Sequence, residues 1–301
     1  MITELNTLIQ EELMHLQKHG QQRGYLVGFN SIDEHYSIKA GTTTIIYGYP
    51  TSGKSQLLLQ ILVSLASQGK KCAIFSPETG TATDIYAEII HCLTGKGFNK
   101  TNNYSLSEFD LYNVLPFVKD YFKVIETKDK SMTPEHYMEL TKEAIKDYDI
   151  FASCYDNWND LTHVFDSRED LYIEQTVKEF NNLAKNEQIH IFGVWHAKNP
   201  DVSKGMPKMP TPFEIKGGSA IYSKGMNLIG VHRTYEQVAD GLKQTNTAEL
   251  YFAKIKPKII GKKGTANLEF DYYQNCYYEN RGERQYINTP FKNINNDTPP
   301  F

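Results

Sequence analysis

Gly48-Tyr49-Pro50-Thr51-Ser52-Gly53-Lys54-Ser55 fits the pattern Gly-x-x-x-x-Gly-Lys-Ser, and that pattern dictates what must stand on either side of it. Such a loop works only between a buried strand and a helix. Its glycines let the backbone curl until the N–H groups point at phosphate oxygens, and the helix N-terminus adds positive partial charge. Both neighbours are present. Thr43-Thr44-Ile45-Ile46-Tyr47 is a β-branched run that reads as a buried strand. Lys54 to about Gln68 carries Leu57, Leu58, Leu59, Ile61, Leu62 and Leu65, as a helix would. By composition the pattern arises by chance in about 1% of chains this long. All eight residues are therefore expected to cradle ATP. Lys54 should reach the β- and γ-phosphates, and the Ser55 hydroxyl should ligate Mg2+.

Further along, strands alternate with helices. Strands read at 71–75, 121–125, 149–155 and 189–195, with helices at about 83–93, 134–148 and 172–185. This alternation predicts a mostly parallel sheet covered by helices on both faces. Strands at 227–232, 248–254 and 267–273 have no helices between them and suggest an antiparallel edge. Residues 95–121 read as less regular.

At the two ends the sequence changes character. Residues 1–19 form an amphipathic pattern with Ile2, Leu5, Leu8, Ile9, Leu13 and Leu16 on one stripe. That stripe must be buried either on its own domain or on a neighbour. Residues 281–301 are rich in Asn and Pro and read as a flexible tail. The division expected is a helix at 1–20, one α/β domain at 21–280 and a tail at 281–301.

Composition narrows the function classes. The net charge of -4 excludes a polycation, so any nucleic-acid surface must be a local patch. Cys72, Cys92, Cys154 and Cys276 form no CxxC pair and read as buried thiols in a reducing compartment. The N-terminus has no signal-peptide pattern and no apolar run reaches membrane-spanning length. An intracellular protein with no membrane role is expected.

Other residues with catalytic chemistry follow strand ends, where ligands bind in open α/β sheets. Glu78 follows the strand 71–75, which is expected to lie beside the strand of the phosphate loop. From there it could orient and deprotonate an attacking water. Asp156 closes the apolar run 150–155, where an acid that holds Mg2+ belongs. His196 closes the strand 189–195, within reach of a γ-phosphate.

The order of these parts has a counterpart. It runs from the phosphate loop through Ser76-Pro77-Glu78, Asp156-Asn157-Trp158-Asn159-Asp160 and Trp195-His196-Ala197-Lys198. Gly217-Gly218-Ser219-Ala220, Val231-His232-Arg233 and Lys254-Ile255-Lys256 follow. This resembles the RecA-like motor domain of DnaB-type hexameric replicative helicases, in the Twinkle and phage primase–helicase branch, from about Gly24 to Glu279. The resemblance implies a RecA-like P-loop NTPase fold. It implies roles too: Glu78 as catalytic glutamate, Asp156 as the Mg2+ acid, and His196 as γ-phosphate sensor. Lys254 and Lys256 match the Lys-x-Arg pair that reaches into a neighbouring subunit's nucleotide. Two departures stand out. Lys256 occupies the arginine-finger position, and a lysine offers a point charge without the bidentate fork; Arg233 is the alternative finger. Asn157 replaces a proline.

The activity implied is ATP-dependent translocation on single-stranded DNA as a ring, and so duplex unwinding in replication. A separate primase or polymerase would be a partner, because too few residues precede Gly24 to form the family's accessory domain. The helix at 1–20 stands where the family's linker helix docks on the adjacent subunit. DNA contact is expected from the basic segment 197–224, above all Lys198, Lys204 and Lys208, which can bind phosphates without reading sequence. Two alternatives are a RecA-type DNA-dependent ATPase that does not unwind, and a regulatory ATPase of the same fold.

Overall fold

The computed structural model describes residues 4–100, 104–126, 131–164, 168–200, 205–239 and 241–292. Among them, one ten-stranded sheet runs through the molecule in the order β10-β9-β8-β7-β6-β1-β5-β4-β2-β3. Its parallel half comprises β1 (Thr42–Gly48), β2 (Cys72–Phe75), β3 (Phe122–Val124), β4 (Ala152–Tyr155), β5 (His190–His196) and β6 (Asn227–Val238). The other half is antiparallel: β7 (Gly241–Lys254), β8 (Gly264–Asp271), β9 (Cys276–Asn280) and β10 (Arg284–Gln285). The fold is thus α/β and RecA-like, with a parallel sheet extended by an antiparallel edge.

Alternation along the strands sends side chains to two cores. Ile46, Ile74, Val231 and Phe252 face α3 (Lys54–Ser67), α4 (Ala82–Thr94) and α5 (Glu108–Tyr121). Ile45, Tyr47, Phe75, Tyr155 and Trp195 face α6 (Pro134–Tyr148), α7 (Glu169–Glu187) and α8 (Gly218–Lys224). Burying either side of β1 takes away every exposed position, which is why its sequence lacks polar alternation.

Several expectations need correction. The strand 71–75, now β2, is not beside β1; β5 and β4 stand between them. Residues 95–121 are not all irregular. Ser107 and Asp110 form a capping box that starts α5, and Pro116 inside the helix disguises its periodicity. The basic segment 197–224 is partly folded, with a 3-10 turn at Pro212–Glu214 and then α8. β9 was not anticipated. The tail expected from residue 281 starts later: Arg284 and Gln285 pair with β9, and Ile287 and Thr289 are buried. Residues 293–301 lie outside the described residues.

The first helix, α1 (Thr7–His19), is capped by Asn6, whose Oδ1 accepts the N–H of Ile9 at 3.0 Å. It buries none of its residues, and Leu5, Leu8, Leu13 and Met14 are more than half exposed. No helix among the described residues is long and apolar enough to cross a membrane.

Candidate active site

The phosphate loop leaves the C-terminal end of β1 and feeds straight into α3. Thr51 and Gly53 both take left-handed backbone, at φ +61° and +87°. Gly53 has a second reason to be glycine: a Cβ there would sit 1.9 Å from the Tyr277 hydroxyl. At Gly48 a Cβ would sit 2.2 Å from the carbonyl oxygen of Val231. The loop is thus wedged against β6 on one side and β9 on the other. Tyr277 donates its hydroxyl to the Gly53 carbonyl at 3.1 Å.

Lys54 is buried, and its Nζ donates to the Tyr49 carbonyl at 2.7 Å. Burial pulls its ammonium down to about 8, against the opposing pull of Asp156 and Glu78. Asp156 is buried at the end of β4. Burial pushes its carboxyl up to about 6, and the Ser55 hydroxyl bonded to it partly offsets this. Its Oδ1 is buried with no hydrogen-bond partner.

Ser55 and Asp156 are therefore the pair a Mg2+ ion would use. The ion takes oxygen ligands and is commonly held by one or two carboxylates together with substrate phosphates. The orphaned Asp156 oxygen is an available ligand for it. The buried, unpartnered Ser52 hydroxyl and the tight loop fit a phosphate chain in the same way.

Glu78 follows β2 on the turn Ser76–Gly80, where Thr79 and Gly80 donate back to the carbonyls of Ser76 and Pro77. Its side chain is 62% exposed and lies 3.9 Å, Oε2 to Nε2, from His196. The β2 turn reaches across the end of β4 to put it there. His196 is level with Gly48 across the β1–β5 pair. Burial and the Lys54 charge hold its imidazole below the usual histidine range, against Glu78 and Asp160. A neutral ring results at neutral pH.

Beneath these groups the two motif tryptophans stack, Trp158 on Trp195, at 4.1 Å and 11°. Trp195 also donates its indole N–H to the Tyr155 hydroxyl at 3.2 Å. The strand ends that carry Asp156 and His196 are fastened together this way.

Lys54, Ser55, Glu78, Asp156 and His196 all line one cavity of about 450 Å3. A larger and more apolar groove of about 1200 Å3 follows the β3 edge, past Tyr86, Ile90 and Leu115, and contains none of them. A buried cation, a metal-type acid, an exposed carboxylate and a neutral imidazole around one cradle suit hydrolysis of a phosphoanhydride.

Lys254 and Lys256 are not brought to this cavity. Lys254 is level with Leu228, which is level with Ile45, three residues before Gly48. That is about 10 Å back along the strand, and β7 runs away from the loop. Lys254 Nζ donates to the carbonyls of Tyr222 and Ser223 at the end of α8. Lys256 is exposed. Arg233, the alternative finger, is buried beside its own chain's loop. Its guanidinium lies 5.0 Å from the Phe270 ring centre, and Nη1 donates to the Tyr272 hydroxyl at 3.2 Å.

Lys198 and Lys208 are exposed on the segment after β5; Lys204 lies outside the described residues. Two lysines of the same segment are engaged elsewhere, Lys216 with Glu169 and Lys224 with Glu174.

Sequence reasoning missed two residues that shape the site. Tyr277 belongs to no motif, so nothing signalled it. Asn157 donates its side-chain amide to Glu78 Oε2; the signal was its departure from proline.

No family model matches the chain. Over 269 residues it is 26% identical to the Twinkle homolog protein, chloroplastic/mitochondrial, of Arabidopsis thaliana. The match takes in 86% of this chain but 37% of that relative, so the chain spans little more than a third of its length. Among solved structures it superposes on a free-standing ATPase domain with a TM-score of 0.73 and 14% identity, over 90% of this chain and 98% of that one. A DnaB-like replicative helicase, described with its interactions with primase, gives the same TM-score and identity over 91% of this chain and 68% of that one. The RadB recombinase is more distant, at a TM-score of 0.54 and 12% identity over 84% and 97%. Motif order, sequence likeness and fold agree: the chain is a RecA-like P-loop domain related to the DnaB-type replicative helicases, in the branch where Twinkle stands.

Proposed function

We propose that this chain is an ATP-hydrolysing helicase motor that moves along single-stranded DNA as a ring and so unwinds duplex in replication. The observation that carries the reading is the convergence of Lys54, Ser55, Asp156, Glu78 and His196 on one cavity from four strand ends. The loop 48–55 binds the phosphates, with Lys54 on the β- and γ-oxygens. Ser55 and Asp156 hold Mg2+, which would neutralise charge between those oxygens. Glu78 takes a proton from the attacking water. His196 senses the γ-phosphate, and the chain leaving it carries Lys198, Lys204 and Lys208 to the DNA backbone.

The site is completed by a neighbour. Lys256, too far from its own loop, reaches the nucleotide of the adjacent subunit, with Lys254 behind it. The exposed stripe of α1 docks on that neighbour as well. A separate primase or polymerase is a fitting partner, and an intracellular setting fits four buried, unpaired cysteines.

The test is ATPase and fork unwinding with and without single-stranded DNA, with particle mass measured alongside. DNA-stimulated hydrolysis with strand displacement by a ring is the expected result. Stimulation without displacement points to the recombinase-like alternative. ATPase indifferent to DNA rules out both. Within the site, Lys54→Ala should abolish nucleotide binding. Glu78→Gln should keep binding and lose turnover by about 100-fold or more, the order of a general base's contribution; wild-type turnover in that variant refutes the assignment of Glu78.

A further inference from the structure

Glu78 stands on an exposed turn, and an unrestrained glutamate samples many rotamers. A general base, by contrast, must hold one oxygen within hydrogen-bond reach of its water. Something has to restrain it. His196, at 3.9 Å, is too far for a direct hydrogen bond. Lys54, Asp156 and Asp160 act on this cluster through charge, and charge alone sets no orientation.

Asn157 supplies a direct contact, because its Nδ2 donates to Glu78 Oε2. Its amide cannot be the other way round. Oδ1 accepts the N–H of Asn159 at 2.8 Å, so the nitrogen end must point at the carboxylate. The arm is also rigid. Asn157 is 3% exposed, and its own N–H donates to Asp160 Oδ2 at 3.2 Å. The next residue, Trp158, is stacked under Trp195. The residue before it is Asp156. One dipeptide therefore presents the metal-type acid and the clamp on the base. The proline of the pattern this chain resembles has no such donor.

We propose that Asn157 is a positioning residue for ATP hydrolysis: its amide holds Glu78 Oε2 so that Oε1 is left to take the proton of the attacking water. This rests on Glu78 being the base. Restraint from a buried, capped residue replaces what an exposed turn cannot provide. The clamp acts on the carboxylate and makes no contact with the phosphate cradle, so it governs turnover and leaves binding alone.

The experiment compares steady-state ATPase, affinity for a fluorescent ATP analogue and thermal unfolding in Asn157→Ser and Asn157→Asp, alone and combined with Glu78→Gln. Both variants keep an oxygen that can cap the 3-10 turn at Trp158–Asp160, and both lose the donor. The expected result is a fall in kcat of about tenfold or more, with KM, analogue affinity and Tm unchanged. Neither change should lower the rate further in the Glu78→Gln background. Wild-type kcat in both variants overturns the proposal. So does a loss carried by KM, or a loss of equal size in the Glu78→Gln background. If Glu78→Gln itself turns over at the wild-type rate, the assignment of the base fails, and that result is read without reference to residue 157.

Discussion

Ala197 donates its backbone N–H to the carbonyl of Gly48 at 2.9 Å. The first residue after the sensor strand is thereby fastened to the first residue of the phosphate loop. Its neighbour Lys198 donates its own N–H to the Glu214 carbonyl at 3.0 Å, which ties the far side of the same segment in. A shift at the γ-phosphate has a short path to the exposed lysines beyond.

That path makes the DNA contacts testable. Replacing Lys198, Lys204 and Lys208 together by Ala should weaken single-strand binding and flatten its salt dependence. Each lost phosphate contact lowers the slope of log K against log salt by about 0.7. Nucleotide affinity should be retained. Equal slopes for variant and wild type, measured by titration between low and moderate salt, would place these lysines off the DNA.

The two buried charges give binding a pH window. Asp156 must be ionised to ligate Mg2+, and its carboxyl is pushed up to about 6. Lys54 must be protonated to meet the phosphates, and its ammonium is pulled down to about 8. Affinity for Mg2+–nucleotide should therefore be flat between about pH 6 and 8. Below the window a proton has to leave Asp156 first, and above it one has to be taken up by Lys54. Calorimetric titration across about pH 5 to 9 reads both limbs, and Asp156→Asn should remove the acid-side one.

Placement of Lys256 away from its own loop predicts complementation. Rings mixed from Lys256→Ala and Lys54→Ala subunits should recover some ATPase, because some interfaces then hold an intact loop and an intact finger. Lys256→Arg should raise the rate, since a fork meets more γ-phosphate oxygen than a point charge does. No recovery at any mixing ratio, in rings shown by mass to be mixed, counts against action in trans.

Deleting residues 1–20 should leave the Tm within about 2 °C of the full chain, because α1 buries nothing in its own domain. It should nonetheless shift the particle mass toward smaller species at low concentration. A truncated chain that assembles like the full one would remove α1 from the interface.

What the sequence made legible was local chemistry. Glycine spacing marked the loop, β-branched runs marked β1 and β5, and polar residues at strand ends marked Asp156 and His196. Strand order was not legible, because pairing is chosen over long range: β2 reads like a neighbour of β1 yet is separated from it by β5 and β4. Pro116 hid α5. The clamp from Asn157 was visible only as an odd residue in a motif, since nothing in a sequence says where an amide's nitrogen points. Tyr277 was invisible for another reason: its partner, Gly53, is 224 residues distant.

That last contact says where the working unit ends. Gln60, fully buried on α3, pairs with Tyr277 as a strand would: its Nε2 donates to the Tyr277 carbonyl at 2.8 Å, and its Oε1 accepts the Tyr277 N–H at 2.7 Å. The hydroxyl of the same tyrosine props the phosphate loop. A fragment cut after β7 would keep every motif residue and lose this strut, so the shortest competent motor runs at least through β9.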